Sequence, residues 1–149
     1  MARTLSDYMT GKKNLPQPNG ALVTKVPVFM VLPAALAAGD LLALLKVPAN
    51  VRVVDFDVIA PQLDSNGAPA LLHSIGVENA GGTDLATVYE AGLTFGRTAN
   101  GSVSRCGTAV AAQDAGYSAE RTISLKTTTI AATAALAGKT ILVLLHLVG

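Results

Sequence analysis

The sequence predicts an all-β fold, a sandwich or barrel carrying one short helix, and three observations lead there. Short β-branched or Leu-rich runs are separated by Gly, Pro, Asn and Asp at intervals of roughly ten residues, the spacing of a chain that turns back after each strand. Asp55 and Asp57 alternate with Phe56 and Val58 at the period of two that gives a strand one buried and one wet face. The run from Thr140 to Val148, TILVLLHLV, is apolar on both parities, so one of its faces meets the core and the other a neighbouring element or subunit.

Along the chain, residues 1–20 carry Lys12, Lys13 and two prolines with little periodicity, which predicts a flexible N-terminal arm ahead of one β domain over residues 21–149. The run Leu22 to Val31 contains Pro27, which cannot donate to a ladder, and is therefore expected at a sheet edge. Leu41 to Val47 opens at Gly39-Asp40 and stops at Pro48. In Val51 to Ile59 the residues Val51 and Val53 lie on the opposite parity from Phe56 and Val58, which calls for a bulge near Val53-Val54 or a second covered face. Asp64-Ser65-Asn66-Gly67 reads as a tight hairpin turn into a strand over Ala70 to Val77. Thr83, after Gly81-Gly82 and before Asp84, has the chemistry of a helix N-cap. Leu85, Val88 or Tyr89, Gly92 and Phe95 recur at helical spacing behind it, and this is the one helix expected. Residues 102–114 fix nothing, and Ile123 and Leu125 alternate against Ser124 and Lys126 in a further strand.

Composition narrows the function. Charged residues are 14% and hydrophobic residues 50% of the 149, where a soluble domain carries about 25% charged. Such a surface exposes apolar area, which marks an oligomer or an assembly component. A net charge of +1 without a basic block lacks the electrostatic footprint of a nucleic-acid binder. At 4% aromatics and no Trp, stacking platforms for bases or sugars are scarce. The most apolar stretch, Val26 to Leu45, is interrupted by Pro27, Pro33, Gly39 and Asp40, so no membrane span is expected, and residues 1–20 lack the apolar core of a signal peptide. The single cysteine, Cys106, suits a reducing compartment.

Chemical motifs are sparse. The two histidines, His73 and His146, lie in apolar strands with no Cys, His or acid at metal-ligand spacing, so both read as structural and no metal or cofactor is expected. Asp64-x-Asn66-Gly67 starts like a calcium loop, but Pro69 and Ile75 stand where that loop needs Gly and Glu. Asp55 and Asp57 share a strand face at a spacing open to paired-carboxylate catalysis, yet a solvated strand face is the favoured reading of them and no third group is placed by the sequence to complete a site. No phosphate loop and no nucleophile elbow occurs, so no catalytic residue is assigned and the chain reads as a non-enzyme.

Leu36 to Pro48, with its Gly39-Asp40 strand opener, Val51 to Val58, Leu63-Asp-Ser-Asn-Gly67, Gly76, and the Gly-led last strand Leu136 to Val143 together resemble the cement or decoration proteins of tailed-bacteriophage heads. The resemblance covers about residues 22–148 as a pattern of turns and strands, and departs from it at Lys46 and His146, which sit in otherwise apolar strands. It implies a jelly-roll-like antiparallel β-sandwich. It further implies a virion protein, made in the bacterial cytoplasm, that binds the outer surface of the capsid, bridges copies of the major capsid protein and forms dimers or trimers. On this reading Lys12, Lys13 and Leu15 contact capsid protein, while Leu142, Leu144 and His146 face a subunit neighbour. Two other readings remain: a trimeric fibre or tail accessory protein that binds a host surface, and a small β-barrel enzyme or ligand carrier with a concave pocket.

Overall fold

The structure, a computed structural model, describes residues 1–16, 22–99 and 117–149 and the backbone of 102–105. Cys106 lies outside the described residues. Among the described residues nine strands form: β1 (Arg3–Leu5), β2 (Thr24–Val31), β3 (Leu41–Val47), β4 (Arg52–Ala60), β5 (Leu72–Glu78), β6 (Leu85–Leu93), β7 (Ser102–Arg105), β8 (Arg121–Thr129) and β9 (Thr140–Val148). Two sheets hold them, one in the order β1-β3-β8-β5-β6 and the other in the order β2-β9-β4-β7. Setting β1 aside, each sheet has four antiparallel strands, and the chain passes between sheets after every strand except β5. That is the jelly-roll arrangement, in which two Greek keys wrap one core.

Alternation builds the core. Val26, Val28 and Met30 of β2, Ile141, Val143, Leu145 and Leu147 of β9, and Phe56 and Val58 of β4 point inward from the four-stranded sheet and are buried. Ile75 of β5 and Ile123 and Leu125 of β8 meet them from the five-stranded sheet. Each such side chain, fully buried, contributes roughly 1.5–3 kcal/mol. The parity conflict in β4 is resolved by a register shift between Val53 and Asp55 against β9, which lets Val51, Val53, Phe56 and Val58 all face inward. Pro27 sits on β2, an edge strand bonded only to β9, where its missing N–H costs no ladder bond.

Three expectations are corrected. No helix occurs among the described residues. The segment after Thr83 is β6, which returns beside β5. Leu85, Tyr89 and Leu93 are four apart, a spacing that keeps one face in a strand as well as in a helix. Thr83 does not cap a helix; its N–H and that of Asp84 donate to Asn79 Oδ1 at 2.9 and 3.4 Å, closing the β5–β6 turn with Gly82 at φ 61°. Gly76 of β5 makes the pairing possible, since a Cβ there would stand 2.0 Å from the Thr87 carbonyl oxygen.

Second, Asp64–Gly67 is not a hairpin turn, because β4 and β5 belong to different sheets. Neither Asn66 nor Gly67 takes a positive φ. The segment is a crossover, and Asp64 is its clamp. Its fully buried carboxylate accepts from the N–H groups of Asn66 (3.2 Å), Ala70 (2.8 Å), Leu71 (3.2 Å), Ala132 (2.9 Å) and Thr133 (3.0 Å). Third, the arm expected over residues 1–20 is part of the sandwich where it is described. β1 pairs in parallel with β3, Arg3 opposite Leu41, and Tyr8 and Leu15 pack against the core. Ala2 N–H donates to Asp40 Oδ1 at 2.6 Å, and the Ser6 hydroxyl donates to the Leu44 carbonyl.

Burial alone pushes the Asp64 carboxyl up, but the N–H donors outweigh it and hold the group well below the usual carboxylate range. Its stabilisation is therefore complete above the unfolded value of about 3.9 and is lost as the pH falls below it toward the folded value. Asp64→Asn turns an amide NH2 toward backbone donors and should cost about 3 kcal/mol in urea unfolding at neutral pH. The variant should also lose less stability than the parent on further acidification; an equally steep acid limb in both would contradict this role.

Candidate functional site

The two outer faces of the sandwich differ in chemistry. On the five-stranded sheet the polar side chains are tied to one another. Arg3 pairs with Glu78 at 2.8 Å, Ser124 donates to Glu78 at 2.5 Å, Lys126 pairs with Asp84 at 2.6 Å and Lys46 with Glu120 at 2.6 Å. Arg3, Lys46, Glu78, Gly82, Glu120 and Arg121 line an open cleft of about 530 Å³ there. Its charged groups are committed to partners within the chain, which leaves a hydrated surface.

The outer face of the four-stranded sheet is apolar instead. β2 presents Phe29 and Val31, 51% and 63% exposed, and β4 presents Ile59, 41% exposed. Between them run Leu142 and Leu144 of β9, half-buried. Register makes these one surface: Phe29, Leu142 and Ile59 form one row across three strands, and Pro27, Leu144 and Asp57 the next. The sequence pattern foresees the outward face of β9 but not the residues that flank it, because cross-strand register is invisible in one strand.

At one end the face becomes polar, in the row Lys25, His146 and Asp55. His146 Nε2 lies 3.1 Å from Asp57 Oδ2, and its Nδ1 lies 3.7 Å from Asp55 Oδ2. The side chains of His146 and Asp57 are only 8% and 7% exposed, and the His146 ring lies between the two carboxylates. The two carboxylates stand at opposite ring nitrogens, so one metal ion cannot reach all three groups. Among the described residues no cluster of three metal-ligating side chains occurs. Asp55 keeps 39% of its side chain exposed and holds one oxygen on the Phe56 N–H at 2.8 Å.

The N-terminal residues border this face. Lys13 Nζ lies 5.4 Å from the Phe29 ring centroid and 6.0 Å from that of Tyr8. Lys12, 74% exposed, is 3.9 Å from Asp7, while Leu15 is partly buried against the core. Lys13 and Leu142, assigned to two different roles from sequence, thus meet the same aromatic row through Phe29.

His73 is far less accessible. It is 1% exposed, stacked on Phe95 with ring centroids 4.4 Å apart, and its Nδ1 is 3.4 Å from Thr127 Oγ1. Its Nε2 has no partner among the described residues. Burial, and secondarily the charge of Arg97, pull its pKa down to about 4, so the ring is neutral at pH 7. The unfolded chain, with a value of about 6.5, takes the proton first, so stability is undiminished above that pH and falls as the pH drops to about 4. The loss is on the order of 3 kcal/mol. His73→Phe should flatten this window in urea titrations at about pH 7, 5.5 and 4.5, and a profile identical to the parent's would refute the assignment.

No protein-family model and no curated protein matches the chain. Solved structures do. A chain of the structure titled "Capsid of Ralstonia phage GP4" is 31% identical with a TM-score of 0.82, over 99% of this chain and 97% of that one. A chain of "Cyanophage Pam1 capsid asymmetric unit" is 16% identical with a TM-score of 0.64, over 93% of this chain and 96% of that one. The second likeness is one of fold alone.

Proposed function

This chain belongs to the family of the matched Ralstonia phage GP4 capsid chain and is a virion structural protein, and we propose that it is a cement protein, made in the host cytoplasm, on the capsid's outer surface. The observation that supports this reading is the two-faced sandwich. A polar, internally paired face suits water, and an apolar face bordered by lysines suits a protein lattice. On this reading the chain is a binding element and not an enzyme, and it bridges copies of the major capsid protein.

Its mechanism is mass action. A protein that binds assembled shell better than free subunits stabilises the shell by its binding free energy, and many weak copies add up. The N-terminal segment is the contact we assign to the shell: Lys12 and Lys13 reach outward while Leu15 anchors the segment against the core. Because that segment is held by β1 and by Asp40, it meets the shell already ordered and avoids part of the entropic cost of binding.

Co-sedimentation with shells of the same phage's major capsid protein tests the proposal. Saturable binding at a fixed copy number, with a raised shell melting temperature, is expected. Reversing both charges, Lys12→Glu with Lys13→Glu, should weaken binding by roughly tenfold, equivalent to about 1.4 kcal/mol. Absence of binding by the unaltered chain would overturn the cement role, and a stable free trimer that binds host surface would place the protein among fibre or tail accessories.

A further inference from the structure

Asparagine is a thermolabile residue, and most so before glycine, where no side chain shields the following nitrogen from the asparagine amide. One such pair, Asn66-Gly67, lies in the crossover that Asp64 organises. Asn66 is half-buried and Gly67 exposed, within a bend. The Gly67 N–H has no acceptor among the described residues, and no atom beyond its chain neighbours lies within 4 Å of where a Cβ would stand. The Asn66 side chain, by contrast, is held at both ends. Its Oδ1 accepts the Ala68 N–H at 2.9 Å, and its Nδ2 donates to Thr133 Oγ1 at 3.0 Å. The first of these bonds closes an Asx turn, which folds the side-chain amide back toward the Gly67 peptide.

We infer that Asn66 is a site of spontaneous modification in the folded protein, converted through a cyclic imide to aspartate and isoaspartate. Water or hydroxide takes the proton from the free Gly67 N–H, and that nitrogen attacks Asn66 Cγ. The charge that forms on Oδ1 meets the Ala68 N–H already bonded there. The bond from Cγ to Nδ2 then breaks, and Nδ2 takes up a proton and leaves as ammonia. Water opens the ring. Cleavage of the new bond to Cγ gives aspartate; cleavage of the backbone C–N bond gives isoaspartate, whose main chain runs through Cβ. In balance, one amide and one water give one acid and one ammonia.

The surrounding contacts decide what each product does. Aspartate keeps the backbone, and its second oxygen replaces Nδ2; the Thr133 hydroxyl, an acceptor for the amide, turns to donate to it. Isoaspartate adds one methylene to the main chain. Asp64 binds the N–H groups of Asn66, Ala70 and Leu71 within this same short segment, so the longer path draws those donors away from the carboxylate. Isoaspartate therefore weakens the clamp and aspartate largely spares it. The other asparagines among the described residues are less reactive. Leu15, Val51 and Ala80 follow Asn14, Asn50 and Asn79 and place a Cβ beside the attacking nitrogen, and Asn79 Oδ1 is also bonded to the Thr83 and Asp84 N–H groups. Two further pairs, Asn19-Gly20 and Asn100-Gly101, lie outside the described residues.

Peptide mapping by mass spectrometry reads the conversion position by position, on the full folded chain kept for weeks in warm, mildly alkaline buffer. Aspartate and isoaspartate are expected to accumulate at position 66 ahead of positions 14, 50 and 79. Gly67→Ala, which the open space and the absence of a positive φ tolerate, should slow this about tenfold with an unchanged urea midpoint. The isoaspartate fraction, separated chromatographically, should show a folding equilibrium constant lowered roughly tenfold, while Asn66→Asp stays near the parent. An intact Asn66 in the folded chain, under conditions where the guanidinium-unfolded chain converts it, would overturn the inference, as would equal rates in Gly67→Ala and the parent. An isoaspartate fraction as stable as the parent would overturn its effect on the Asp64 clamp.

Discussion

One carboxylate organises the end of the sandwich where the chain changes sheets. Asp64 lies in the crossover from β4 to β5, and its oxygens bind N–H groups of that crossover and of the one from β8 to β9. The backbone continues the arrangement: Leu63 and Asp64 N–H donate to the Gly96 carbonyl, where the chain leaves β6, and Asp64 makes an isolated bridge with Ala134. Gly96, at φ 81°, can come this close because a Cβ there would stand 2.7 Å from Leu63. A jelly roll needs such a device, since its sheets are joined by loops and not by hydrogen bonds between strands. The loops must leave water to close the core, and their N–H groups then need acceptors. A single buried charge with five donors answers that need more compactly than five separate side chains.

With the crossovers fixed, strand order follows and the chemistry of each face is set. β9 lies between β2 and β4, so neither of its edges is open to another chain. The surface it can share with a partner is therefore its outward side chains. β3, by contrast, would be an open edge were it not for β1, which lies along it in parallel and is held by Ala2, Arg3 and Ser6. Covering an edge strand in this way blocks unintended strand addition. β2 and β6 remain at sheet edges, so side-chain contact through the apolar face is one route to association beside those edges.

Strand content and strand limits were largely legible in the sequence, because period-two alternation and the Gly, Pro and Asp stops act locally. The expected run Thr140 to Val148 coincides with β9, and of the two ways to reconcile the parity conflict near Val53, a bulge or a second covered face, the register shift against β9 is the bulge. What local signals could not carry was partnership. The segment after Thr83 has four-residue spacing that serves either structure, and pairing with β5 across Gly76 decides it. Asp64-Ser-Asn-Gly has hairpin chemistry, but the sheets its flanking strands join are chosen by the core as a whole. Likewise Asp55, Asp57 and His146 were each visible, while their meeting depends on a register set 89 residues apart in the chain. The candidate face was legible only along β9; Phe29, Ile59 and Lys25 enter through β2 and β4.

The apolar outer face also bears on why β9 reads as apolar on both parities. Its inward residues Ile141, Val143, Leu145 and Leu147 are fully buried and account for the core. Nothing in the isolated sandwich requires Leu142 or Leu144, whose outward neighbours could as well be Thr or Lys, as they are on β8 at Thr122 and Lys126. Half-exposed side chains of this size do little to stabilise the monomer or favour its solubility, and a sequence shaped by folding alone would have no use for an apolar row in register across three strands. The same molecule disposes charged pairs over its opposite sheet, so the asymmetry is not a general shortage of polar residues. An apolar surface that folding does not need is accounted for by association, and in a capsid protein, association is the function.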